Sequence, residues 1–385
     1  MKNSTKTIKT ANAFLVLDAL RKHGALTVDA LIRTTKLSRP TVLSILEEQT
    51  ARRVITTGGK VASDFGRQPI LYTLDTAHHF AIGIDFEFPP MRLCITDLTG
   101  QIRYEHHWLC DPDLPRPAIL ERLCSEIDAA LCAMSLSIEQ IIGIGVGIPG
   151  TVNKQSNVSQ TISRISDWNG EPLHQLLADR FPVPIYLRND AHLMSRAVTA
   201  QMNLDEEDFL FVAYRTGIGM AIIRAGELID GRFGNTGYLG HTTVDPDGTL
   251  CPCGNRGCLE TIAAKSTIER LYEKQTGTPL PFAEILKQPD AEELFTRAGR
   301  YFGIALSNAI KLSDIYTVVI DGLPVPDNHP FIDAVRTTVR SACAAYAVRT
   351  PEIRAADFSS DLCAHGAALF ILDTFFCKPK LHLSN

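Results

Sequence analysis

A histidine and three cysteines crowd one stretch of the chain. Cys251 lies ten positions after His241, Cys253 follows in a C-x-C step, and four residues separate it from Cys258. Three thiolates and one imidazole make a closed tetrahedral set for Zn2+, with no ligand position left open for reaction. That points to a structural ion. Gly254 and Gly257 let the backbone wrap tightly around it. The other reading is unliganded thiols near a histidine. Against it, Cys94, Cys110, Cys124, Cys132, Cys343, Cys363 and Cys377 are scattered singly, as packed thiols would be. A second pair, Asn189-Asp190, stands where an apolar strand gives way to a helix. An amide beside a carboxylate offers the donors and acceptors that vicinal hydroxyls need. Taken alone, the pair reads better as a helix cap.

These groups need a frame, and the surrounding pattern supplies an α/β one. Residues 80–85, 91–97 and 101–109 read as strands, 118–134 as a helix, and 141–150 as a glycine-rich buried strand entering a loop. Strands and helices then alternate again: 185–187, a helix from 191, then 209–214 and 220–224. Two similar halves are expected, with a ligand cleft at their junction.

The first 76 residues have another character. They carry 12 Lys+Arg against 6 Asp+Glu, a balance of +6, while the remainder stands at −11. Phe14, Leu17 and Leu20 form one stripe of a helix from Asn12 to His23, which Gly24 stops. Thr27 caps a short helix with Val28, Leu31 and Ile32 on it. Ser38 caps a third, with Pro40 in its first turn and Val42, Ile45 and Leu46 inward, running to about Arg53. Strands at 54–56 and 70–74, separated by a Gly58-Gly59 turn, complete a winged helix-turn-helix. Its outward Arg39, Thr41 and Ser44 are of the kind that meet base edges and phosphates. Gly66 and Arg67 lie in the wing, where glycine permits close approach and arginine suits a narrow minor groove. The competing reading is a helical dimerisation module.

Composition sets the outer limits. Hydrophobic residues make up 45% and charged residues 21% of 385, an ordinary globular balance that excludes disorder. No apolar run approaches the roughly 18–20 residues that span a bilayer. The N-terminus lacks an apolar segment behind its basic residues, so a cytoplasmic protein with reduced thiols is expected.

Several segments together resemble the ROK family of bacterial repressors and sugar kinases. They are Gly237-Tyr238-Leu239-Gly240-His241, the run from Cys251 to Glu260, Ile148-Pro149-Gly150, Asp167-Trp168-Asn169-Gly170 and Asn189-Asp190-Ala191. The resemblance runs from about residue 80 to the C-terminus. With the winged head, it extends over the whole chain of the repressor branch. It implies a two-lobed actin-like (ribonuclease H-like) ATPase/sugar kinase fold behind the head. The expected domains are a head at 1–76 and a ROK domain at 77–385. Lobe one covers about 77–188 plus 361–385, and lobe two covers about 189–360 with the zinc knot.

The resemblance also implies roles. Asn189, Asp190, His241 and Glu260 correspond to sugar contacts, Asn169 to a weaker one, and Asp190 to the kinases' base. His241 would serve zinc with one ring nitrogen and the ligand with the other. Where the family usually has Glu-x-Gly-His, this chain has Tyr238, which loses a charge and a bidentate acceptor. The family's Asp-x-Gly-Gly-Thr phosphate segment is here Asp85-Phe86-Glu87-Phe88-Pro89. Glu87 adds charge, Phe88 adds bulk and Pro89 removes an N–H. The second phosphate segment is Arg215-Thr216-Gly217-Ile218-Gly219-Met220-Ala221, short of its outer glycines, and a late Gly-Gly is Asp321-Gly322. The expectation is therefore a non-enzymatic regulator, most simply a repressor of carbohydrate genes. It binds a double-stranded DNA operator as a homodimer or tetramer, answers to a sugar or sugar phosphate, and has no membrane partner. The alternatives are an ATP-dependent sugar kinase carrying a DNA-binding head and a regulator sequestered by a partner protein.

Overall fold

The computed structural model describes residues 5–60, 69–87, 89–162, 165, 168, 170, 172–323, 325–326, 329–346, 349–356, 358 and 361–376. Helix α1 (Thr5–His23) starts well before the expected Asn12. It stops at Gly24, whose φ of 72° suits a residue without Cβ and whose N–H donates to Leu20 O at 3.0 Å. After β1 (Leu26–Thr27), the Thr27 hydroxyl caps α2 (Val28–Thr35) by accepting the Ala30 N–H. Lys36 ends α2 in the left-handed region, and Ser38 caps α3 (Arg39–Ala51). Val16, Leu17, Leu20, Leu31, Val42, Ile45 and Leu46 are buried, so the three helices share an apolar core.

Strands β2 (Ile55–Lys60) and β3 (Ile70–Leu74) join β1 in a sheet of order β1-β3-β2. The expected turn at Gly58-Gly59 is not one: β2 runs through both glycines to Lys60. A register shift between Thr57 and Lys60 takes up the irregularity, with Gly59 at φ 107°. A glycine pair supports a bulge as readily as a turn.

The body then runs through β4 (Phe80–Asp85), β5 (Met91–Asp97), β6 (Ile102–Trp108), α4 (Arg116–Ala133), β7 (Ile141–Ile148), β8 (Gly150–Asn153), β9 (Val158–Ile162), α5 (Leu173–Arg180) and β10 (Ile185–Asn189). It continues with α6 (Asp190–Met202), β11 (Phe209–Tyr214), β12 (Ile218–Arg224), β13 (Glu227–Leu228), α7 (Glu260–Ala263), α8 (Lys265–Thr276) and α9 (Phe282–Ile285). Last come α10 (Glu292–Ser313), β14 (Thr317–Asp321), α11 (Pro330–Cys343), β15 (Glu352–Ala356) and α12 (Leu362–Phe376). No described helix is long and apolar enough to cross a membrane.

The chain divides into two compact units. One comprises Met1–Ile148, Asn157–Arg188 and Cys363–Asn385, and the other Pro149–Ser156 and Asn189–Leu362. The first unit has a five-stranded sheet of order β10-β7-β4-β5-β6. Gly83 and Gly145 are register partners on the parallel strands β4 and β7. A Cβ at either would run into the backbone of α12 at Ala364 or Ala367. The glycines thus let this helix lie directly on the sheet. The head is fastened to the same helix: Arg21 Nη1 donates to Asp373 Oδ1 at 2.7 Å, and its guanidinium lies 5.7 Å from the Phe376 ring centre.

The second unit repeats the plan with the order β13-β12-β11-β14-β15. Its core is aromatic. The Tyr214 ring is fully buried among Phe282, Phe302 and Phe331, and its hydroxyl donates to Ala263 O at 2.6 Å. Burial moves its phenol pKa sharply upward, so it serves as a neutral donor. Gly299 and Gly303 allow α10 to approach α11 where any Cβ would meet Phe331 O or Thr338.

Candidate metal centre and ligand site

In the second unit the loop after β13 gathers His241, Cys251, Cys253 and Cys258. Their ligand atoms all lie within 4.8 Å of one another. Cys251 Sγ is 3.7 Å from His241 Nδ1, and Cys253 Sγ is 3.6 Å from Cys258 Sγ. A tetrahedron with Zn–S bonds near 2.3 Å has edges of about 3.8 Å, so the spacing fits such an ion. The loop is closed by Cys251 N–H to Asn255 O at 2.7 Å and Gly254 N–H to Cys251 O at 2.9 Å. Gly254 (φ 94°) and Gly257 (φ 61°) make the turns, and a Cβ on Gly257 would strike Asp245 O.

The thiols differ. Backbone hydrogen bonding at Asn255 holds Cys253 below the usual thiol range. Burial raises Cys251 and pushes Cys258 up to about 12. Buried thiols of this kind ionise when a cation stands beside them. This donor set can hold a metal ion.

The residues expected to contact a sugar adjoin this loop. His241 turns Nδ1 toward Cys251, leaving Nε2 3.9 Å from Glu260 Oε2. Glu260 Oε1 accepts the Ile218 N–H at 2.7 Å. Gly217 and Gly240 make room for it, since a Cβ there would come within 2.7 Å and 2.5 Å of Oε1. Gly217 of the second phosphate segment therefore helps seat a carboxylate in this chain, which the sequence pattern does not signal.

The Tyr238 ring is tilted by 40° against His241 with ring centres 6.3 Å apart, and its hydroxyl donates to Asn235 Oδ1 at 3.4 Å. Burial, with the Asp190 charge adding to it, pushes its phenol up to about 12. Asp190 opens α6 and accepts the Ala191 N–H at 2.9 Å. Asn189 caps α6 by accepting the His192 N–H at 3.3 Å, while its amide donates to Gly150 O at 3.1 Å. Asn189, Asp190, Tyr238, His241 and Glu260 thus all stand in the second unit, whereas Asn169 lies outside the described residues.

At the strand ends expected to face ATP, the structure holds arginines. In the first unit Asp85 and Arg92 are register partners across β4 and β5. Arg92 Nη1 lies 3.4 Å from Asp85 Oδ2 and 3.8 Å from Glu87 Oε2, with Asp85 fully buried. The charge of Glu87 is therefore met within the protein. Phe88 lies outside the described residues. In the second unit Arg215 Nη2 donates to the buried Asp321 Oδ2 at 3.0 Å, and Asp321 Oδ1 accepts the Phe358 N–H at 2.9 Å. The hairpin register was the available signal for Arg92. For Arg215, 106 residues from Asp321, there was none.

In the head, Arg39 Nη1 donates to Asp29 Oδ1 at 2.7 Å, both side chains exposed. Thr41 and Ser38 share a hydroxyl hydrogen bond of 2.8 Å. Ser44 is exposed, and Gly66 and Arg67 lie outside the described residues.

A profile described as "ROK family" matches residues 81–374. The chain is 25% identical over 381 residues to the xylose repressor of Bacillus subtilis (strain 168), covering 96% of each. It is 26% identical over 365 residues to the DNA-binding transcriptional dual regulator NagC of Escherichia coli (strain K12), covering 90% of this chain and 89% of that one. Among solved structures, a ROK family transcriptional regulator, a homolog of E. coli MLC protein, aligns with a TM-score of 0.76 at 20% identity. That alignment covers 96% of this chain and 97% of the other. A ROK hexokinase from Thermus thermophilus aligns at 0.63 and 26% identity, covering 75% and 97%. The actin-like, two-lobed architecture is thus the fold of this chain.

Proposed function

The chain belongs to the ROK family, and from that premise we propose that it is a DNA-binding transcriptional regulator of carbohydrate genes, acting as a repressor. The observation that carries this reading is the basic head, residues 1–76. A capped helix-turn-helix stands there on 12 Lys+Arg against 6 Asp+Glu, in a chain acidic elsewhere. A relative named as a repressor matches 96% of the chain, and one named as a DNA-binding transcriptional dual regulator matches 90% of it. Its partners are a duplex operator and a sugar or sugar phosphate. Two half-sites require a homodimer or tetramer. Arg39, Thr41 and Ser44, with Gly66 and Arg67 of the wing, make the contacts.

In the body, Asn189, Asp190, Tyr238, His241 and Glu260, with Asn169, contact the sugar. His241, Cys251, Cys253 and Cys258 would hold Zn2+, whose service is to cross-link the loop. A metal held through Nδ1 would fix the proton of His241 on Nε2, which faces Glu260 Oε2 across 3.9 Å. Asp85–Arg92 and Asp321–Arg215 support a sensor rather than a kinase, because protein carboxylates and guanidinium groups meet each other where phosphate would bind. Ligand binding regulates only by favouring one arrangement of the heads over another.

The test is recovery of bound duplexes from a random library by the full chain, with and without a panel of sugars. A selected sequence released by one sugar is the expected outcome. Recovery of no preferred sequence sinks the reading, and ATP-dependent phosphorylation of a sugar, abolished by Asp190→Ala, replaces it with the kinase one.

A further inference from the structure

The outward face of α3 carries a residue that sequence reasoning passed over. Leu43 is 44% exposed, although Val42, Ile45 and Leu46 beside it are buried. It is the one large exposed apolar side chain among the described residues of α3. Arg39, Leu43, Ser44 and Glu47 recur at helical spacing and form one exposed stripe. Arg39 is drawn to Asp29 and Thr41 to Ser38, which leaves Leu43 and Ser44 prominent at the middle of that stripe.

Resting on the operator-binding reading above, we infer that Leu43 is a specificity-determining residue that reads a thymine methyl group in each half-site. The major groove offers apolar surface at one place only, the C5 methyl of thymine. Phosphates and the polar edges of the other bases give a leucine no comparable apolar partner. A leucine exposed on this face costs solvation in the free protein and regains it only against such a methyl. A second protein chain is the poorer occupant. Leu43 stands singly among Arg39, Ser44 and Glu47, too small an apolar patch for a protein interface. The head's balance of +6 repels another head and attracts a duplex.

The experiment uses the full chain and the duplex it selects from a random library. Each selected thymine is replaced in turn by uracil, which removes the methyl and nothing else, and affinity is measured for the wild type and for Leu43→Ala. At one thymine per half-site the wild type should lose about 4-fold for the buried methyl. Leu43→Ala should bind thymine and uracil duplexes equally. Circular dichroism should be unchanged, since Leu43 takes no part in the core. A wild type indifferent to every uracil overturns the inference, and so does a variant that keeps the same methyl dependence. A change of oligomeric state by sedimentation in Leu43→Ala also overturns it, assigning the residue to a protein contact. If no duplex is selected at all, the operator-binding reading itself has failed.

Discussion

Counted by order of appearance, the strands of both body sheets stand third, second, first, fourth, fifth. Each sheet also buries an aspartate at a strand end and meets it with an arginine, Asp85 with Arg92 and Asp321 with Arg215. The units differ in what is attached to that shared frame. The first carries the basic head and receives α12 on its glycine pair. The second carries the loop that gathers three thiols, an imidazole and the carboxylate of Glu260. The sheet is the common scaffold, and the chemistry sits in insertions at strand ends. A loop with few apolar side chains of its own needs a cross-link in place of a core.

Removing the metal should separate the two units most sharply. Structural zinc in small peptides binds with about 10–16 kcal/mol at neutral pH, so this is the largest expected effect. Chelation or Cys258→Ser should abolish bound zinc and raise hydrogen exchange across residues 237–264, leaving the first unit protected. Equal exchange in both units would show that the cross-link is not local, and protein purified without zinc would remove the assignment.

The arginine pairs should instead show the units alike. Arg92→Ala and Arg215→Ala each leave a buried carboxylate without its guanidinium, at a cost of about 3–5 kcal/mol in denaturant unfolding. A loss below about 1 kcal/mol in one of them would mean that its pair is screened, as exposed pairs are, and that the parallel between the units fails.

The smallest effect concerns pH. His329 caps α11 by accepting the Phe331 N–H at Nδ1, 3.2 Å away, and burial holds its imidazole below the usual 6.5. The unfolded chain therefore takes the proton first. The cap's contribution is present above about pH 6.5 and is lost as pH falls through the folded value. Helix-cap losses run to about 1 kcal/mol. Unfolding of the second unit should weaken by that order between pH 7 and 5, and His329→Asn should keep the cap and flatten the profile. A profile unchanged by the substitution would assign the pH response to other groups.

Legibility followed the range of the interaction. The caps at Thr27 and Ser38 and the stop at Gly24 were readable because each involves residues a few positions apart. The early start of α1 was not, since nothing apolar marks Thr5. Gly58-Gly59 misled because glycine signals backbone freedom without saying whether a turn or a bulge uses it. Leu43 carries no signal in the sequence because helical periodicity identifies buried residues better than a lone exposed one.

By itself the sequence determined the cluster of one histidine and three cysteines able to hold a metal, the alternation of strands and helices, and the division of charge between head and body. Each depends on residue type and short spacing, which the chain carries without folding. Only the tertiary structure decided that Gly217 and Gly240 hold Glu260 against the Ile218 N–H, and that Arg215 reaches Asp321. It also turned Nδ1 of His241 toward Cys251 and Nε2 toward Glu260. Those partners lie from 10 to 106 residues apart, and their meeting depends on strand order and close backbone approach, which exist only once the core has packed.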